Sequence, residues 1–128
     1  RVREALLLRQ RADLHAMIDL SDGLARDLHH LCEESGCGAL LDGERIPIAD
    51  AARELSRRDG VSPLDHALAD GEDFELVFTV SEQDARELEK GVEGVTLFRV
   101  GTMTESGYEL IRDGRREKLE PRGYEHRW

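Results

Sequence analysis

The sequence predicts a mixed sheet with helices packed on it, in one α/β or α+β domain. Three observations lead there. Strand-like and helix-like segments alternate through most of the chain. The end is hairpin-like, with Asp113-Gly114 as a turn signal. A length of 128 residues is about one domain's worth of chain, enough for one core but not for two independent ones.

The elements follow in order. Residues 2–10 have a helical pattern, and residues 15–20 read as a buried strand. Residues 22–35 carry Leu24, Leu28, Leu31 and Cys32 at helical spacing. Ser21 or Asp22 can cap that helix, and Gly36 suits its end. Residues 37–41 read as a strand closed by Asp42-Gly43. Residues 48–58 form a second helical pattern, with Ile48, Ala52 and Leu55 on one face. Ser62-Pro63 opens a short helix to about residue 69, serine as cap and proline in the first turn.

Residues 73–80 alternate, with Phe74, Leu76, Phe78 and Val80 on one face. Ser81 then starts a charged helix to about residue 90. Residues 95–100 read as a strand, 101–107 as a connection and 108–111 as a strand. The tail from Arg115 is polar and ends in Trp128.

Composition excludes some functions. Charged residues make up 36% and the formal net charge is −10. This argues against nucleic acid or an anionic membrane as the main partner. An acidic protein still binds nucleotides when divalent cations screen the phosphates. No run approaches a membrane span, and the apolar stretch near residues 5–8 is too short for a signal sequence. The chain does not start with methionine, so a fragment or a processed product is expected. Two cysteines, Cys32 and Cys37, are too few for a disulfide framework. They read as reduced thiols in a cytoplasmic protein, with a local disulfide as the alternative. The histidines show no metal or triad spacing, and His29-His30 is expected on a solvated helix face. There is no P-loop or dinucleotide fingerprint.

The groups suited to chemistry fall in three segments. In Met17-Ile18-Asp19-Leu20-Ser21-Asp22-Gly23-Leu24, an apolar run stops at a carboxylate, then offers a hydroxyl and a second carboxylate where a helix begins. Carboxylates are ligands Mg²⁺ prefers, usually one or two of them together with substrate phosphates. A helix N-terminus adds free N–H groups that favour anions. Helix capping by Ser21 or Asp22 accounts for the same residues, since acidic caps are common. In Asp70-Gly71-Glu72-Asp73-Phe74-Glu75-Leu76, four carboxylates crowd a glycine at the mouth of a strand. Such crowding is unfavourable without nearby cations or donors. A solvated turn explains it equally well. In Gly123-Tyr124-Glu125-His126-Arg127-Trp128, aromatics in a polar tail serve as docking anchors or as a wall for a flat ligand.

Together and in this order, the three segments resemble the C-terminal half of the thiamine-monophosphate kinase family. The opening helix fits the lead-in to the first motif, so the resemblance covers nearly the whole chain. That family belongs to a superfamily with aminoimidazole ribonucleotide synthetase, selenophosphate synthetase and a hydrogenase-maturation dehydratase. The resemblance implies an α+β C-terminal domain with a mixed, ferredoxin-like sheet. It implies direct in-line transfer of the ATP γ-phosphoryl group to thiamine monophosphate, with Mg²⁺. By position, Asp19 and Asp22 resemble Mg²⁺ ligands, Ser21 an ATP contact and Glu72 a substrate contact. Arg127 stands where phenylalanine is common, so Trp128 is the aromatic assigned to the substrate. Asp70 replaces a glycine found in many members.

The resemblance also implies an N-terminal domain, outside residues 1–128, that holds most metal-binding aspartates and much of the ATP site. A homodimer formed mostly through such domains is expected for the full-length protein. The isolated chain is expected to be inactive. Two alternatives remain at this point: another ATP-dependent enzyme of the superfamily, or a non-catalytic binding or assembly domain of the same fold.

Overall fold

Ala39 and Leu41 turn their side chains to one side of a strand, Leu40 and Asp42 to the other, and the larger sheet is built outward from that strand. In the computed structural model, which describes residues 2–20, 22–69 and 76–121, this is β2 (Gly38–Asp42). It pairs antiparallel with β4 (Gly101–Thr104) and parallel with β5 (Tyr108–Arg112). β5 turns back through Asp113 and Gly114 into β6 (Arg115–Lys118), giving the order β4-β2-β5-β6. Asp113 at φ 51° and Gly114 at φ 76° are the two positive φ angles a tight hairpin turn demands.

A separate antiparallel ribbon joins β1 (Ala16–Asp19) to β3 (Leu76–Thr79). The helices are α1 (Val2–Arg11), α2 (Leu24–Ser35), α3 (Asp50–Asp59), α4 (Pro63–Ala69) and α5 (Glu82–Glu89). The expected α+β arrangement with a mixed sheet is present, its described strands divided between the ribbon and the four-stranded sheet.

Two apolar clusters hold these layers together. In the first, Leu24, Ala25, Leu28, Leu31 and Cys32 of α2 pack on Ala39, Leu41 and Leu110 of the sheet and Leu68 of α4. These five apolar positions recur at helical spacing, so burial rather than propensity holds α2 there. The Tyr108 hydroxyl donates to the Ala25 carbonyl at 2.6 Å, tying β5 to α2. The second cluster sets Leu8 of α1 against Leu88 of α5 and Val92. The ribbon lies between them. Ile18 and Val77 pack on the first cluster, while Met17 and Phe78 pack on the second.

Several expectations need correction. The strand expected at 95–100 is absent; β4 lies at Gly101–Thr104, in the stretch read as a connection. Val95 and Leu97 pack into the second cluster without a ladder, apart from an isolated bridge between Val92 and Val95. Gly101 permits β4 instead: a Cβ there would meet the Leu40 carbonyl oxygen at 2.3 Å. A glycine that reads as a break is thus what allows the strands to meet. The face assigned to Phe74, Leu76, Phe78 and Val80 does not bear the whole core, because Val77 on the opposite face is packed as well. Phe74 lies outside the described residues. α3 begins at Asp50 rather than 48, buries no residue, and leaves Leu55 exposed. His29 is half-buried rather than solvated: its ring meets Tyr108 edge-on at 5.2 Å, and its Nδ1 lies 2.8 Å from Glu33.

Polar contacts steady α4. The Ser62 hydroxyl accepts from the Asp65 N–H at 3.1 Å, the cap the sequence suggested. Arg112 of β5 donates to Asp65 at 2.6 Å and to Glu117 at 2.8 Å. Buried His66 meets Asp59 at 2.9 Å. Burial by itself raises the Asp65 pKa, but hydrogen bonds from Arg112 and Ser62, with the Arg112 charge, bring it below its ordinary value. A carboxyl whose pKa falls on folding stabilises the fold above its unfolded pKa and loses that contribution as pH drops through the folded value. Asp65→Asn is therefore expected to cost about 1–3 kcal/mol at neutral pH. The two stabilities should converge below about pH 4. Melting curves across this range provide the check; a constant gap would remove Asp65 from the acid response.

Cys32 and Cys37 are both free thiols, as expected. Burial, with Cys37 alongside, pushes the Cys32 thiol up to about 11. Thiolate is the reactive form. Iodoacetamide should therefore alkylate half-buried Cys37 well before Cys32 in the native chain, as peptide mapping would reveal.

Candidate functional site around Asp19 and Asp22

Asp19 is the last residue of β1 and is exposed. The strand's apolar residues are held from both sides by the two clusters, and the carboxylate emerges where that packing ends. Asp22 is also exposed, but it does not lie in the first turn of α2 as expected. α2 starts at Leu24, with Gly23 as its N-cap and no side-chain cap. Capping by Asp22 is thereby replaced with a different arrangement. The Asp22 N–H donates to Oδ2 of Asp27 at 2.9 Å. Asp27, in the first turn of α2, is 4% exposed.

Gly23 sets where this segment runs. Its φ is 102°, and a Cβ on it would stand 2.6 Å from the Ala69 carbonyl oxygen and 2.9 Å from that of Leu68. Only glycine lets the chain pass this close to the last turn of α4. On the other side, Asp19 pairs with Leu76 across the ribbon. Ala69 and Leu76 flank residues 70–75, the second acidic segment. Both flanks of that segment are therefore held against the Asp19–Gly23 stretch, by two separate contacts.

Ser21, Glu72 and Trp128 lie outside the described residues, as do the other residues of 70–75 and 122–128. Of the residues singled out from sequence, the structure describes Asp19 and Asp22 and places them at the same end of the domain. It adds two the sequence reading missed. Gly23 was visible as a glycine, but its contact with Ala69 is not a local property. Asp27 sits four residues after Gly23, and an acidic residue in a first helical turn was the available signal.

The donor set suits a hard cation in part. Among the described residues no group of three or more His, Cys, Asp or Glu side chains converges as a metal cage. Two exposed carboxylates are what Mg²⁺ takes when phosphates and water complete its shell. α2 runs away from them with its N-terminus, the positive end of its dipole, on their side.

A cavity of about 400 Å³ lies elsewhere, on the outer face of the four-stranded sheet. Leu40, Asp42, Arg99 and Thr102 are among its lining residues. Arg99 is engaged there by Glu89 at 3.0 Å and by Glu82. Cavity size is a poor guide here, because neither Asp19 nor Asp22 lines this space.

Comparison with known proteins adds the relatives. A thiamine-monophosphate kinase of Rhodopirellula baltica is 38% identical over 128 residues, covering 98% of this chain and 40% of that protein. Thiamine-monophosphate kinase of Escherichia coli K12 is 41% identical over 133 residues, covering 98% of this chain and 39% of that protein. Among solved structures, AaThiL complexed with AMPPCP and TMP superposes with a TM-score of 0.73 at 28% identity, covering 98% of this chain and 37% of that one. The chain thus spans about two fifths of the length of the curated relatives it matches. Residues 1–113 match the model for AIR synthase related protein, C-terminal domain, and it is to this family that the chain belongs.

Proposed function

We propose that this chain forms the C-terminal half of an ATP- and Mg²⁺-dependent kinase that converts thiamine monophosphate to thiamine diphosphate by direct in-line transfer. The observation that carries the reading is the double contact between the Asp19–Gly23 stretch and the two flanks of residues 70–75. The kinase relatives and the similarity to AaThiL with AMPPCP and TMP support it.

In this proposal Asp19 and Asp22 hold Mg²⁺, Ser21 contacts ATP, and Glu72 and Trp128 contact the thiamine phosphate. Bound Mg²⁺ supplies charge neutralisation on the phosphates. The chain's own share is positional. β1 fixes Asp19 at the ribbon's end, Gly23 holds the backbone against α4, and the N-terminus of α2 favours negative charge nearby. An N-terminal ATP and metal domain outside residues 1–128, a homodimer of the complete protein and a cytoplasmic location belong to the same proposal. Among the described residues, no helix is long and apolar enough to cross a membrane.

The test is Mg²⁺-dependent formation of thiamine diphosphate from ATP and thiamine monophosphate, with the domain joined to its N-terminal half. The 128-residue chain alone is expected to be inactive. Robust turnover by that chain would overturn the two-domain site. No turnover by the joined protein would overturn the kinase reading.

A further inference from the structure

A carboxylate is seldom taken out of water without a task, because its desolvation is costly unless partners offset it. Asp27 is 4% exposed, while Asp19 and Asp22 are both exposed. Its Oδ2 accepts the Asp22 N–H at 2.9 Å. This is a charge-assisted hydrogen bond to main chain, of the stronger kind. The first turn of α2 also favours a negative side chain. The bond resembles a capping box displaced by one residue: the helix reaches back past its N-cap, Gly23, and takes hold of the residue before it.

Asp22 is consequently pinned on both sides. Its own N–H is bound to Asp27, and the residue after it, Gly23, is pressed on the Ala69 carbonyl in a backbone conformation closed to other residues. Between these pins the Asp22 side chain stays exposed. Fixing the backbone fixes the direction of the Cα–Cβ bond, which leaves the carboxylate few rotamers to choose from.

We propose that Asp27 is a positioning residue: its buried carboxylate anchors the Asp22 backbone and so aims the Asp22 carboxylate at the cation. The inference rests on the metal reading of Asp19 and Asp22 given above. In this role Asp27 acts through the Asp22 backbone rather than as a ligand. Partners that orient a ligand in this way typically govern metal affinity by about tenfold or more.

The test uses the 128-residue chain and Mn²⁺ as the probe. Two variants are compared. Asp27→Ala removes the acceptor; Asp27→Asn keeps an oxygen in the same place and removes the charge. Amide exchange by NMR is read at Asp22 against the amides of α2 as internal reference. Asp27→Ala is expected to speed Asp22 exchange about tenfold relative to that reference, and Asp27→Asn to restore most of the protection. Mn²⁺ broadening of the Asp19 and Asp22 signals is expected to need about tenfold more metal in Asp27→Ala and close to the wild-type amount in Asp27→Asn.

A general loss of stability would move all amides together and would not single out Asp22. Unchanged Asp22 exchange in Asp27→Ala overturns the proposal, as does unchanged Mn²⁺ affinity. Should alanine unfold the chain, Asp27→Glu, which shifts the acceptor by one methylene, must show the same local acceleration. Signals that stay sharp in wild-type chain with Mn²⁺ overturn the aiming role, while the metal reading of Asp19 and Asp22 is tested separately in the joined protein; the Asp22 exchange rate still reports the anchor.

Discussion

Gly23→Ala is expected to lower stability by about 3–5 kcal/mol, the largest loss of any single substitution considered for this chain. Two costs add. A φ of 102° with ψ 152° is nearly closed to residues with a Cβ, worth about 1–3 kcal/mol of strain. The new methyl would also meet the Ala69 carbonyl oxygen at 2.6 Å and its carbon at 2.8 Å. These are backbone atoms in the last turn of α4, so they cannot swing aside as a flexible side chain would. Either α2 or α4 must move, and both pack on the first apolar cluster. For a domain of this size the melting temperature should fall by roughly 10–20 °C. Gly36→Ala is the control: its φ is 67°, and nothing lies within 4 Å of the added methyl. That change should cost about 1 kcal/mol. Equal effects of the two, measured by thermal unfolding, would mean that the contact with Ala69 contributes nothing.

Asp19→Asn should leave the fold alone and remove the chemistry. The side chain is exposed at the end of β1, and its β-ladder partner is unaffected by an isosteric change. Stability should stay within about 0.5 kcal/mol of the parent. In the joined two-domain kinase, Mg²⁺-dependent turnover should drop by about 10²–10³, the usual cost of losing one charge-stabilising group. A carboxamide keeps one oxygen but loses the negative charge that competes for Mg²⁺ against water. Steady-state rates over a magnesium titration measure this. Turnover unchanged at every magnesium concentration would falsify the metal role of Asp19.

Local chemistry was legible where it is written in single residues. Gly36 closes α2 in a left-handed conformation, Ser81 caps α5 and accepts from the Asp84 N–H, and Asp113-Gly114 makes its hairpin. Each of these follows from φ preference or a short-range hydrogen bond. β4 was not legible, because a Gly-Thr-Met-Thr stretch has little strand pattern until Leu40 and Leu41 are alongside to pair with it. α3 misled in the opposite way, since its apolar spacing meets no core. The site divides similarly. Asp19 could be placed at a strand end from the apolar run before it. Asp22 was set in the helix because an acidic residue before a helical pattern looks like a cap. What displaces it is Gly23 against Ala69, a contact between residues far apart in sequence. Asp27 went unnoticed because only the packed structure shows that its charge is buried.

The ribbon of β1 and β3 has a consequence for accuracy. Side chains alternate along a strand, so sliding one strand by a residue would turn each of its side chains to the other face. In a sheet with one wet face such a slip costs burial once. Here Met17 belongs to one cluster and Ile18 to the other, and the same division holds for Phe78 and Val77. A slip would exchange the occupants of two cores together. The pairing is thus checked from both faces, and the alignment of Asp19 with Leu76 inherits that double check. Asp19 and the strand that follows the second acidic segment are brought into step by a ribbon that contributes no reactive group beyond its last residue.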